Sequence, residues 1–347
     1  MSDFPTDVTV AIVAHNAMSC LGACVESLRR AGCPDRQMIV VDVASTDGLQ
    51  AWLAREAPEA VCLRLDRNDG PSPGRNAGIR RAATPYVLLM DADVQVEPDT
   101  VSILYEAMRR DPAVAVGSPV VVHADRPDVI QYAGTGLHFI CEATNPYLDH
   151  PLAERGDDPR VIGVASTCAL LLDRQVAIDV GLFDERYFIG KEDGDFTHRV
   201  TVAGRAILEL PQARVRHRTK PRGTWLFYYQ IRNRWHFLLK NYEWRTLVWI
   251  APALAVHEIL QLALLVGRGH GLTWLKAVWG LIALLPSLPR DRALMRRIRR
   301  RRDPDVLVDG PMVVRSDLAG GALGRLLDLY QRGLAAYWRL LRRTVLR

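Results

Sequence analysis

The chain has 347 residues, 49% of them hydrophobic and 24% charged, which is enough apolar material for one large domain or two and excludes a disordered or fibrous polymer. Its net charge of +6 is unevenly placed, because eight arginines fall within 290–302 while grouped carboxylates lie before residue 200. The six cysteines include no C-x-x-C pair and mostly sit in apolar segments, so they read as reduced core thiols of a cytoplasmic protein, and the first residues show no basic-then-apolar leader.

Strand-like and helix-like runs alternate through the first 120 residues. Val8–Ala14 is a short apolar run, Ser19 can cap a helix with Leu21, Cys24, Val25 and Leu28 on one face, and Met38–Val43 is a second run. Residues 49–55 suit a helix, Val61–Leu65 a strand, 74–83 a helix and 86–90 a strand. This βαβ order predicts a mostly parallel sheet with ligands at the carboxyl ends of its strands.

Polar groups stand where those strands end: Ala14-His15-Asn16, then Asp42 with Ser45-Thr46-Asp47, then Asp91-Ala92-Asp93. Each alone is ordinary turn or cap chemistry, and their convergence on one edge is the stronger signal. The D-x-D places paired carboxylates directly after a buried strand, a donor set for Mg²⁺ or Mn²⁺ completed by substrate phosphates. A glycine-bearing loop, Asp69 through Gly78, lacks G-x-G-x-x-G spacing and is no P-loop, which argues against a dehydrogenase or an ordinary nucleotide triphosphatase.

Together with Gly74-Arg75-Asn76-Ala77-Gly78, Gly181-Leu182-Phe183-Asp184-Glu185-Arg186-Tyr187-Phe188, Glu192-Asp193-Gly194-Asp195 and His217, these segments resemble the family 2 glycosyltransferases of A-type fold, in particular the rhamnosyltransferase-like branch. The resemblance covers about two thirds of the chain and implies roles residue by residue. Asp42 and Arg75 hold the nucleotide base, with the backbone of Ala14, His15 and Asn16 packed on it. Asp91 bonds the ribose or the metal, Asp93 ligates the metal, and His217 is the remaining protein ligand. Asp193 takes the proton of the acceptor hydroxyl, Glu192 orients the loop or the acceptor, and Asp195 braces the following helix. Val43 departs from the family, which commonly has Asn or Gly there.

Beyond residue 222 the pattern changes. Residues 224–242 mix Trp225, Tyr228, Tyr229, Trp235 and Tyr242 with Arg232, Arg234 and Lys240, a composition suited to a bilayer interface; base stacking uses such residues too, but no recognisable nucleic-acid module accompanies them. Residues 246–266 are long enough to span a bilayer but are interrupted by Pro252, His257, Glu258 and Gln261, and 272–286 is short and contains Lys276. The expectation is an interfacial hairpin, ahead of a tightly packed double span, with both ends cytoplasmic and arginines 290–302 on anionic headgroups; a basic amphipathic terminal helix with Leu323, Leu326, Leu327, Tyr330, Leu334, Tyr337, Trp338 and Leu341 on one face lies flat on the membrane, with packing on its own domain as the alternative. The expected organisation is a nucleotide-sugar-binding catalytic domain over 1–222 and a membrane-associated helical region over 223–347. The expected function is inverting transfer of a sugar, rhamnose first among candidates, from a nucleotide diphosphate sugar to a polyprenyl-linked acceptor at the cytoplasmic membrane face. A soluble or protein acceptor, and a non-catalytic nucleotide-sugar-binding assembly subunit, are the alternatives.

Overall fold

The computed structural model describes residues 4–219, 223–313 and 321–346. Strands β1 (Val8–Ala14), β2 (Met38–Val43), β3 (Val61–Leu65) and β4 (Tyr86–Asp91) alternate with helices α1 (Met18–Arg30), α2 (Leu49–Glu56) and α3 (Pro71–Arg81). All residues of β1 and β2 are buried, as continuous apolar runs demand of strands covered on both faces. Then come β5 (Val94–Val96), α4 (Thr100–Arg110), β6 (Val114–His123), β7 (Ile130–Tyr132), and the short pair β8 (Gly136–Leu137) and β9 (Ala143–Thr144). They are followed by β10 (Arg160–Ile162), β11 (Ala169–Asp173), α5 (Arg174–Asp179), α6 (Glu192–Val202) and β12 (Ala206–His217).

The main sheet runs β10-β12-β6-β11-β4-β1-β2-β3, with β5 on β12 and β7 on β6. Pairing is parallel from β4 to β3, the half read from the repeating βαβ pattern. Beyond β4 the sheet is mixed, because β11 runs antiparallel to both β4 and β6. Helix α3 lies close on the parallel half. A Cβ at Gly78 would stand 2.8 Å from Ala11 Cβ, and one at Gly74 would stand 2.9 Å from a methyl of Val13 and another of Val43.

The remaining helices are α7 (Leu226–Asn241), α8 (Trp244–Gly267), α9 (Gly271–Ile282), α10 (Leu288–Ile298), α11 (Asp303–Val306) and α12 (Gly321–Thr344). Two stretches, Trp244–Gly267 and Gly271–Ile298, are long and apolar enough to cross a membrane by length and composition alone. The polar residues that interrupt α8 face the protein: Glu258 accepts from Trp235 Nε1 at 3.0 Å and Trp274 Nε1 at 2.6 Å, and pairs with buried Arg234. Its other face leaves Val248, Trp249, Val256, Ile259 and Leu260 exposed, and α9 adds Leu272, Leu275 and Trp279.

Two expectations about this region need correction. The apolar stripe of α12 is turned inward: Leu334, Trp338 and Leu341 are buried, and the Trp338 ring stacks on Phe139 at 4.8 Å. It therefore packs on its own protein, and among the described large apolar side chains of α12 Leu326, Leu329 and Leu340 remain exposed; the Leu323 side chain lies outside the described residues. The arginine run is also partly structural. Arg292 Nη1 donates to the Leu239 and Tyr242 carbonyls at 2.6 and 3.0 Å, and Arg299 pairs with Asp303 at 2.8 Å and caps the Asn241 carbonyl. Helix carbonyls without intrahelical donors attract these cations more directly than headgroups do. Arg290, Arg296, Arg297 and Arg300 to Arg302 remain exposed.

Candidate active site

A cleft of about 380 Å³ opens at the carboxyl ends of β1, β2 and β4, lined by His15, Val43, Arg75, Asp91, Asp93, Glu192, Asp193 and His217 among others. Asp91 is the last residue of β4 and Asp93 sits in the turn before β5. The register of β5 against β12 opposes Val94 to His217, which brings His217 Nε2 to 3.6 Å from Asp93 Oδ1. Gln131 fixes the imidazole. Its Nε2 donates to Thr219 Oγ1, so its Oε1 accepts from His217 Nδ1–H at 2.7 Å, and the imidazole Nε2 is turned toward Asp93.

Arg75 reaches the cleft from α3. Its Nη2 is 3.2 Å from Asp91 Oδ1, while Nη1 is 2.9 Å from Asp193 Oδ1 and 3.7 Å from Glu192 Oε1. The guanidinium is almost wholly buried, and although burial disfavours its charge, Asp91, Asp193 and Glu192 together hold its pKa above the ordinary value. One cation thus faces three carboxylates. Burial lifts the Asp91 carboxyl to about 6, with Arg75 opposing and Asp93 and Asp193 adding to the rise. The floor of the cleft carries surplus negative charge, the condition a divalent cation relieves.

Glu192 and Asp193 open α6, and the residue before them, Lys191, has a left-handed backbone (φ 72°). Its Nζ donates to the Cys141 carbonyl at 2.9 Å and to Glu142 Oε2 at 2.7 Å, which holds the turn in this costly conformation. Asp193 is oriented further by the Thr167 hydroxyl, which donates to Oδ1, and the Thr167 amide, which donates to Oδ2 at 3.3 Å. Asp195, expected to brace α6 through the helix dipole, is a wholly buried hub: it pairs with Arg199 at 2.8 Å and Lys240 at 3.0 Å, and accepts from Asn241 at 2.8 Å.

The structure therefore brings Arg75, Asp91, Asp93, Glu192, Asp193, His217 and His15 to one cleft. Ala14, Asn16 and Asp42 are not among the lining residues. Asp42 is fully buried, opposite Arg64 in the β2/β3 register; it pairs with that arginine and accepts from Ser45 N at 2.8 Å. Asn16 Oδ1 accepts from Thr46 N at 2.8 Å, so these two residues shape the strand-end loops. His15 Nδ1 donates to the Val43 carbonyl at 2.6 Å, a contact to backbone that the departure at Val43 leaves intact. Arg75 stands with the acids rather than beside Asp42. Sequence reasoning passed over Arg64, Thr167, Gln131 and Lys191; of these only Lys191, directly before the acidic pair, carried a positional hint.

Among the described residues, no group of three or more His, Cys, Asp or Glu side chains closes into a metal cage. Asp91, Asp93 and His217 instead offer hard oxygen donors and one oriented nitrogen on the wall of an open cleft, which fits a metal sharing its shell with a diphosphate.

A parallel α/β half-sheet ending in D-x-D, extended by a mixed half and faced by an acidic helix start, is the A-type glycosyltransferase fold. Residues 9–178 match the family model described as glycosyl transferase family 2, and that segment is similar to this family. It is 28% identical over 201 residues to the N-acetylglucosaminyl-diphospho-decaprenol L-rhamnosyltransferase of Mycobacterium tuberculosis, covering 52% of this chain and 66% of that protein. The chain spans 38% and 66% of the length of two curated relatives it matches. Among solved structures, S. aureus TarS 1-349 in complex with UDP-GlcNAc superposes with a TM-score of 0.56 at 18% identity, covering 97% of this chain and 90% of that one. The mannosyltransferase PcManGT of Pyrobaculum calidifontis, in complex with GDP-Man and Mn²⁺, gives 0.51 at 16% identity, covering 99% and 89%.

Proposed function

We propose that this protein is an inverting glycosyltransferase that moves a sugar, rhamnose first among candidates, from a nucleotide diphosphate donor to a hydroxyl of a polyprenyl-linked acceptor at the cytoplasmic membrane face. The observation that carries the reading is that Asp193, held by Arg75 and Thr167, faces the same cleft as Asp91, Asp93 and His217. The relative and the structural neighbours support the substrate classes: the first is named for N-acetylglucosaminyl-diphospho-decaprenol, and the others are in complex with UDP-GlcNAc and GDP-Man.

Inverting transfer is one in-line displacement in which the acceptor oxygen attacks the anomeric carbon from the face opposite the departing diphosphate. A hydroxyl is a poor nucleophile at neutral pH. Asp193 accepts its proton as the new C–O bond forms, and Thr167 and Arg75 fix the carboxylate so that one oxygen lies toward the incoming group. Arg75 also bridges Asp193 to Asp91, tying the base to the donor side of the cleft. Glu192 keeps Arg75 charged. Asp91, Asp93 and His217 would hold Mg²⁺ or Mn²⁺, which when bound neutralises charge on the leaving diphosphate. The exposed apolar faces of α8 and α9 and the outward arginines of α10 seat the molecule on an anionic membrane as an interfacial hairpin.

The test is a panel of nucleotide sugars with Mg²⁺ and Mn²⁺, scored for binding, hydrolysis and transfer to polyprenyl-linked acceptors, repeated with Asp193→Asn. The amide keeps the shape but cannot take the proton, so transfer should fall by about 10²-fold or more while nucleotide affinity changes little. Near wild-type turnover by Asp193→Asn removes Asp193 from the role of base.

A further inference from the structure

On the apolar side of the molecule, Tyr228 of α7 and Leu275, Lys276, Val278, Trp279 and Gly280 of α9 line an open groove of about 680 Å³. A chain of rings joins it to the cleft. Phe188, on the cleft wall, stacks on Tyr229 with centroids 5.2 Å apart, and Tyr229 meets Tyr228 edge-on at 4.9 Å. The close seat of Tyr228 depends on Gly280, where a Cβ would stand 2.3 Å from the phenol oxygen. Arg232 lies over both tyrosine rings, 5.1 and 5.4 Å from their centroids, and its Nη2 donates to the Arg186 carbonyl at 2.8 Å. The next residue is Asn233, whose Nδ2 donates to the carbonyls of Ile189 and Gly190 at 3.0 and 2.7 Å. The helix that forms the groove therefore also holds the loop leading into Glu192 and Asp193.

The chemistry along this path changes in one direction. At the groove the walls are hydrocarbon and indole, with an exposed ammonium and no carboxylate among the lining residues. Along the ridge they are phenol faces under a guanidinium, and at the cleft they are carboxylates. A soluble glycan has no use for the first part, and a phospholipid has none for the last. An amphiphile with a long apolar tail, an anionic phosphodiester and a sugar at its end matches all three in order. Lys276 supplies the point charge that suits a phosphate, and flat ring faces suit the apolar face of a sugar.

We propose that the α9 groove and the Tyr228-Tyr229-Phe188 ridge form the track of the acceptor lipid. The isoprenyl chain lies against Leu275, Val278 and Trp279, its phosphate is beside Lys276, and its sugar is led over the tyrosines to Asp193. This assignment rests on the lipid-linked acceptor proposed above.

The experiment uses the full chain in nanodiscs containing phosphatidylglycerol, with decaprenyl diphosphate N-acetylglucosamine bearing a diazirine near the head of its isoprenyl chain. Photolysis should label peptides from 225–232 and 272–280, and untagged acceptor, but not added phosphatidylglycerol, should suppress the label. Lys276→Glu should raise the acceptor KM about tenfold, the scale of one lost charge-assisted contact, with the donor KM unchanged. Labelling confined to other surfaces, equal suppression by phosphatidylglycerol, or an unchanged acceptor KM in Lys276→Glu overturns the track. If the wild-type protein transfers to lipid-linked acceptors while the label misses the groove, only the track falls. If it transfers to soluble glycans and to none of a panel of polyprenyl diphosphate sugars, the acceptor reading and the track fall together.

Discussion

Gln131 shows how much of this cleft depends on residues that carry no motif. Its amide oxygen accepts from His217 Nδ1, the contact that aims Nε2 at Asp93, and a leucine in its place removes that acceptor. Gln131→Leu should therefore weaken divalent-dependent donor binding by about 10- to 100-fold, close to the effect of His217→Ala, as read by calorimetric titration of nucleotide with and without Mn²⁺. Normal metal dependence in both variants would make His217 a structural imidazole. The acids and His217 were legible in the sequence because each stands at an abrupt change from apolar to polar at a strand or helix end. Gln131 and Thr167 were not, since their contacts depend on β7 lying beside β6 and on the loop before β11. Asp42 was legible as a polar residue in an apolar strand, but its partner Arg64 follows from a strand register that no local pattern specifies.

At the level of elements, α3 explains why glycines flank Arg75. Gly74 and Gly78 are four residues apart, on the face that meets β1 and β2, so the helix approaches the sheet closely enough for the arginine to lie under the cleft. Gly78→Ala should cost about 1–3 kcal/mol through overpacking against Ala11, less whatever the better helix propensity returns, and denaturant unfolding measures it. A variant as stable as wild type would mean that α3 can shift outward freely. The four parallel strands were readable because short continuous apolar runs alternated with helical periodicity. The mixed half was less so: β6 and β12 are long strands whose partners are distant in sequence, and β11 enters between β4 and β6 from about 80 residues downstream of β4. The amphipathic pattern of α12 was read correctly as a pattern, but periodicity identifies an apolar face without saying whether lipid or Phe139 covers it.

Across the whole molecule, the helices after residue 223 share one apolar cluster with the sheet: Phe237, Tyr242, Ile250, Leu254, Met295 and Trp338 belong to the same core as Val41, Leu89 and Phe196. Removing residues 246–347 exposes that core, so the truncated chain should aggregate or bind a hydrophobic dye rather than leave the membrane as a folded catalytic domain. A monodisperse, cooperatively melting fragment would show that the sheet stands alone. Two interior histidines set an acid limit. Burial pushes His138 down to about 4, and burial with the charge of Arg299 pushes His198 down to about 3. Their folded values lie below the ordinary 6.5, so the unfolded chain binds more protons in this window; the stability they contribute is complete above about 6.5 and is lost as pH falls toward 4 and then 3. Each adds a slope of up to about 1.4 kcal/mol per pH unit, against a smaller opposing effect from the raised Asp91 carboxyl. The urea midpoint should fall between pH 7 and 5, and His198→Gln should flatten that fall. An equal slope in the variant would exclude His198 as a source.

Lys240 has a consequence of a different kind. Buried between Asp184 and Asp195, with bonds of 2.7 and 3.0 Å, it locks α7 to α6, whose first turn carries Asp193. A buried pair of this sort resists sliding, because any displacement strands a charge. The Asp193 carboxylate and the exposed apolar faces of α8 and α9 then move as one piece, and under the proposed function the altitude of that carboxylate above the lipid is a fixed dimension. Acting as proposed, such a molecule would measure its substrate like a gauge: a hydroxyl one sugar nearer to the membrane or one sugar farther from it would stand at the wrong level, whatever its chemistry.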